Sequence, residues 1–153
     1  MAGLHSFPFR LRRCGPADAA AFFALQNEVR AAMPHPEQFV PDTLENITAY
    51  LREDLCIGAY DGERLGAYFI LRYCGRSAHN YAAFLGVPRE EWEHWANADS
   101  AVVHPDWRGN GLQRKLLEAA LPLVRPGIVA SGHRQPGESI QPEQCPCLRF
   151  CHC

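Results

Sequence analysis

His104–Leu117 reads HPDWRGNGLQRKLL, a glycine-bearing turn running from the segment Ala101, Val102, Val103 straight into a helix pattern with Leu112, Leu116, Ala119 and Ala120 on one stripe. A strand, a glycine turn and a helix in that order form the layout of a phosphate-cradling site. Gly109 and Gly111 allow a tight turn and close approach of the backbone to a ligand. The first helical turn then offers unpaired N–H groups and the positive end of the helix dipole to an anion. Two common phosphate loops fail on spacing. A Walker-type loop needs Lys and Ser or Thr after its last glycine, but Leu112 and Gln113 follow Gly111. The dinucleotide fingerprint needs a third glycine where Arg114 stands and an acidic residue about twenty positions on, and the chain reaches Gly127 without that carboxylate.

The residues that do match are Arg108, Gly109, Asn110, Gly111 and Leu112, preceded by the strand end Val103, His104, Pro105. They resemble the R/Q-x-x-G-x-G/A signature of the GNAT superfamily, the acyl-CoA-dependent N-acyltransferases, with Gln113 in place of the last small residue. The resemblance extends from Phe9 to about Ala130. It implies a GNAT-type α/β (α+β) fold, a mixed and mostly antiparallel central sheet flanked by helices. It further implies acetyl-CoA as cosubstrate, held by Arg108, Gly109, Asn110, Gly111, Leu112 and Gln113, with the backbone N–H groups of Val102 and Val103 on the thioester carbonyl and pantetheine arm. The implied reaction is direct attack of an amine on the thioester, without a covalent enzyme intermediate. A base must free the amine of its proton, and the leaving thiolate needs a donor, often a tyrosine. Asp99, on the strand that feeds the loop, is the candidate base. His79, His94 and His104, as imidazoles, are the other candidates, His104 more as a loop residue that the phosphate site adjoins.

Composition is consistent with one soluble domain. The chain has 153 residues, 47% apolar and 21% charged, and a formal net charge of −2, which offers no electrostatic case for nucleic acid or an anionic membrane as partner. No apolar run is long enough to span a bilayer, and the start MAGLHSFPFRLRR lacks the apolar stretch of a signal peptide, so the expected compartment is the cytoplasm.

The order of elements agrees with this reading. Phe7–Cys14 alternates as a strand. Pro16 and Asp18 open a helix whose Phe22, Leu25, Val29 and Ala32 share a face until Pro34. Asp42 with Glu45 suggests a capping box for a second helix bearing Leu44, Ile47 and Leu51. Leu55–Tyr60 and Leu65–Tyr73 form a hairpin about Asp61-Gly62, with Leu65, Ala67, Phe69 and Leu71 on one face of the second strand. Between Gly75 and Ala96 lies an insertion longer than a hairpin requires. In it Pro88 can start a short helix that brings Trp92 and Trp95 together and turns Glu90, Glu91 and Glu93 outward, either as a solvated cap or as an acidic wall for an amine.

After Ala130 the family pattern stops. Relatives continue into a V-x-P-x-N-x-x-S segment, a tyrosine-bearing helix and final strands, whereas this chain reads SGHRQPGESIQPEQCPCLRFCHC without periodicity. His133–Cys153 can be back-translated with legal codons into a string that, read one nucleotide later, spells TVNPENPYSLNSALACGFAI, similar to the segment that is lacking. The expectation is a GNAT-like domain over 1–131 and a non-family, frameshifted tail over 132–153, without the last helix and strands. An unpaired fifth strand would then expose an edge that invites a homodimer. Cys145, Cys147, Cys151, His152 and Cys153 lack the paired C-x-x-C spacing of a structural zinc site, and an odd cysteine count argues against a disulfide framework, so no metal is expected. Two functions follow. One is an N-acetyltransferase acting on a small-molecule or peptide amine; the other is a catalytically impaired CoA-binding module that has lost its tyrosine helix.

Overall fold

The computed structural model describes residues 9–131. Five strands, β1 (Arg10–Arg13), β2 (Leu55–Asp61), β3 (Arg64–Arg72), β4 (Trp95–Val103) and β5 (Val129–Ser131), form one sheet in the order β1-β2-β3-β4-β5. The first four pair antiparallel and β5 joins β4 in parallel. Helices α1 (Ala19–Ala31) and α2 (Leu44–Glu53) connect β1 to β2, and α3 (Leu112–Ala120) connects β4 to β5. This mixed, mostly antiparallel sheet flanked by helices is the predicted fold class. The tail 132–153, with its cysteines and its reading-frame interpretation, lies outside the described residues, as does Phe7. Among the described residues no helix is long and apolar enough to cross a membrane.

Both faces of the central strands are covered, so β2 and β3 are almost continuously buried rather than alternating. Phe22, Leu25 and Val29 of α1 with Ile47 and Leu51 of α2 pack on one face against Cys56, Tyr60, Tyr68, Ile70 and Val102. Leu112, Leu116 and Ala120 of α3 pack on the other against Ile57, Ala59, Ala67, Phe69, Ala101 and Val103. Leu65 departs from the predicted stripe. It packs on the α1/α2 side, because Ala59 pairs with Ala67 and Tyr60 with Leu65, which leaves Gly66 as an extra residue and flips the alternation.

Helix α2 begins otherwise than its sequence suggests. Thr43 is the N-cap and its side chain accepts from the Asn46 N–H at 3.0 Å. Leu44 is exposed, while Ile47 and Leu51 are buried. The Asp42 carboxylate is thereby released from capping and turns elsewhere.

Candidate functional site

Strand β4 carries a second irregularity. Ile70 pairs with Ser100 and Leu71 with Ala98, so Asp99 is an extra residue in the ladder. A bulge of this kind re-aims a side chain, and the Asp99 carboxylate lines a cavity of about 270 Å³ between the α1–α2 connection, β3 and β4. Asp99 lies 3.9 Å from the Arg72 guanidinium, accepts from Ser100 Oγ at 3.1 Å and faces the Tyr81 hydroxyl at 3.5 Å. Phe39, Val40, Tyr68, Ala101 and Val102 supply apolar wall.

The opposite wall holds a carboxylate whose place in the cavity the sequence did not reveal. Asp42 accepts from the Tyr50 hydroxyl at 3.2 Å. Its backbone is clamped by the side chain of Gln26, a fully buried residue of α1: Gln26 Oε1 accepts from the Asp42 N–H at 3.0 Å, and Gln26 Nε2 donates to the Asp42 carbonyl. Burial raises the Asp42 carboxyl above its ordinary value; the Tyr50 hydroxyl opposes the rise, Asp99 adds to it, and Arg72 opposes it. Burial, reinforced by the Asp42 charge, pushes the Tyr50 hydroxyl up to about 12, so that it stays a donor at neutral pH. The Arg72 guanidinium stacks over the Tyr50 ring at 4.6 Å. A buried polar residue inside an amphipathic helix was the signal in the sequence, since Gln26 stands on the same face as Phe22 and Leu25.

From Asp99, β4 runs to Val103 and into the glycine turn. Gly111 is the N-cap of α3 with φ +67°, and Gly109 has φ +83°. A Cβ at either would meet nothing within 4 Å, so these positions face open space. No side chain caps α3. Its first-turn N–H groups at Leu112, Gln113 and Arg114 have no hydrogen bond among the described residues beyond the helix itself. Arg108 Nε is buried without a partner. A donor-rich, uncapped and sterically open loop fits a pyrophosphate.

The loop is held from below. Trp107, buried, packs its ring at 4.2 Å from that of Phe9 and lies flat on Gly66, where an added Cβ would fall 1.7 Å from the indole. His104 Nδ1 accepts from the Asp106 N–H at 3.1 Å, Asn110 Nδ2 donates to the Trp107 carbonyl at 2.9 Å, and His104 Nε2 reaches Glu28 of α1 at 3.2 Å. His104 thus serves to fix the loop. His79 and His94 are exposed and do not line the cavity.

The N–H of His104 donates to the Gly66 carbonyl at 2.8 Å. Strand alternation therefore turns the Val102 N–H toward β3 and the Val103 N–H away from it, toward the β5 side, where the described pairing of β5 stops at Asn97. Val102 itself lines the cavity.

The insertion between β3 and β4 is packed about two buried asparagines. Asn80 donates to the carbonyls of Gly75 and Trp92 and accepts from the Ala82 N–H; Asn97 donates to the His79 carbonyl and accepts from the Tyr81 N–H. A short 3-10 helix, Arg89–His94, follows Pro88 as predicted and keeps Glu90, Glu91 and Glu93 exposed. The residue this segment brings to the cavity is Tyr81, not the glutamates.

No family model and no curated protein matches the sequence. Solved acetyltransferases share its fold. Diaminobutyrate acetyltransferase from Paenibacillus lautus, in complex with L-2,4-diaminobutyric acid and coenzyme A, aligns with a TM-score of 0.54 at 9% identity over 74% of this chain and 56% of that one. Protein yncA from Salmonella typhimurium with its cofactor acetyl-CoA gives 0.55 at 18% over 80% and 69%. An aminoglycoside N-acetyltransferase in complex with CoA gives 0.56 at 11% over 84% and 78%. The chain thus spans little more than half the length of the Paenibacillus enzyme. It has the fold of the GNAT acetyltransferases.

Proposed function

We propose that the chain transfers an acetyl group from acetyl-CoA to a primary amine. Domain 1–131 would carry the activity in the cytoplasm. The observation that carries this reading is the continuity of β4: one strand presents a bulged carboxylate to a cavity and, four residues on, ends in the glycine-bearing turn that leads to the uncapped start of α3. Arg108, Gly109, Asn110, Gly111, Leu112 and Gln113 would hold the pyrophosphate, chiefly through N–H groups. The Val103 N–H, which points toward the β5 side, would donate to the thioester carbonyl, with Val102 as apolar wall. Once bound, acetyl-CoA supplies an acyl group already activated as a thioester. Asp99 takes the proton from the acceptor ammonium at its carboxylate, with Arg72 and Ser100 fixing the orientation of that group. Two of the fold neighbours are complexed with diaminobutyric acid and with sisomicin, in keeping with an amine acceptor.

The test is acetyl-CoA consumption across an amine panel alongside CoA calorimetry. Amine-dependent release of CoA thiol supports transfer. Tight CoA binding with no turnover for any amine would make the chain a CoA-binding module instead.

A further inference from the structure

Among the described residues three charged groups line the cavity, Asp42, Asp99 and Arg72. Two carboxylates against one guanidinium leave an excess of one negative charge in a half-buried space, which a single ammonium neutralises. A dication would overshoot, a zwitterion would leave the excess charge in place, and a ligand carboxylate would have to compete with Asp99 for Arg72. The remaining wall is largely aromatic and aliphatic. A volume of about 270 Å³ lies just below the usual range of ligand pockets, about 300–1,000 Å³, and suits a small amine. The fold also fixes Asp42 at three points, two from the Gln26 side chain to its backbone and one from Tyr50 to its carboxylate. Burying an amide inside α1 for this purpose is costly unless both its ends are paired, and both are.

We infer that Asp42 is a specificity-determining residue, and that with Asp99 it selects small apolar primary amines bearing one positive charge and no carboxylate. The inference rests on the acetyl-transfer reading for its chemistry and on the cavity alone for its recognition. Asp42 holds the ammonium, and Asp99 accepts its proton.

The probes are phenethylamine, phenylalanine and 1,4-diaminobutane, assayed by thiol release and, separately, by calorimetry in the presence of CoA. The wild-type chain should favour phenethylamine in kcat/KM. Asp42→Asn should raise its KM about tenfold or more, the loss expected for one charged hydrogen bond, with kcat within about twofold. Asp42→Glu, which restores the charge, should recover much of the affinity, a rescue that a merely structural role would not produce. Equal KM in wild type and Asp42→Asn, or a wild-type preference for phenylalanine or the diamine, overturns the inference. Asp42-dependent binding of phenethylamine without any acetyl transfer would leave the recognition standing and refute the transferase reading; transfer indifferent to Asp42 would do the reverse.

Discussion

Gly111 and Asp99 are the two residues on which the proposed chemistry turns, for different reasons. Gly111 holds φ +67° at the start of α3 with open space before it. Valine there meets backbone strain and places a branched side chain in the proposed pyrophosphate position. Gly111→Val should therefore abolish CoA binding, whereas Arg108→Ala, with the N–H groups intact, should weaken it only modestly; unchanged calorimetric affinity in Gly111→Val would remove this loop from consideration. Asp99 is aimed into the cavity by the β4 bulge. Asp99→Asn should lower kcat by about 10²-fold, the lower end for a general base, with CoA affinity nearly intact. Equal kcat in the two proteins at neutral pH would reduce Asp99 to a solvated strand carboxylate.

At the scale of elements, two bulges organise the site. The one at Gly66 lets β3 pass beneath Trp107, and through Trp107 it sets the height of the glycine turn above the sheet. Gly66→Ala forces a Cβ into the indole, and overpacking of this kind costs about 1–3 kcal/mol. The indole must shift and take the loop with it, so CoA affinity should fall together with stability. A double-mutant cycle with Trp107→Leu tests the contact, since the two substitutions should cost less together than the sum of each alone. Additive costs would mean that Trp107 does not rest on Gly66.

For the whole molecule, two apolar layers on one sheet supply the core, and its first connection is pinned by a polar cluster. Asp18 accepts from both terminal guanidinium nitrogens of Arg12, at 3.2 and 2.7 Å, from the Tyr60 hydroxyl at 2.8 Å and from the Gly15 N–H at 3.0 Å. The Arg12 hydrogen bonds hold the Asp18 carboxyl below its ordinary 3.8, against burial, and the Gly15 and Tyr60 bonds add to this. A depressed folded value means stability present above the unfolded value and lost as pH falls through the folded one. Asp18→Ala should thus destabilise by about 2 kcal/mol at pH 7, with the difference shrinking below about pH 3.8. A deficit constant from pH 7 to pH 2 in denaturant melts would contradict this. Asp42 has the opposite sign. Its raised folded value penalises the ionised fold at higher pH, so Asp42→Asn should melt no lower than wild type at pH 8 while binding amines worse.

The glycine turn with its strand before and helix after was legible in HPDWRGNGLQRKLL because local periodicity and glycine spacing encode it directly. The same local signals exposed the hairpin at Gly62 and the apolar stripes of α1 and α3, whereas the candidate carboxylate at Asp99 came from the family resemblance. Everything that turns these into a cavity is non-local. Asp42 read as a helix cap because its three partners, Gln26, Tyr50 and Arg72, lie 16, 8 and 30 positions away or are reached only across the fold. Leu65 read as a member of one stripe because a bulge leaves no trace in composition, and Gly66 gained its meaning only from Trp107, 41 residues later. Sequence periodicity reports which face of an element is apolar; which polar groups then meet across the gap between elements is decided by register and packing, and these exist only in the folded chain.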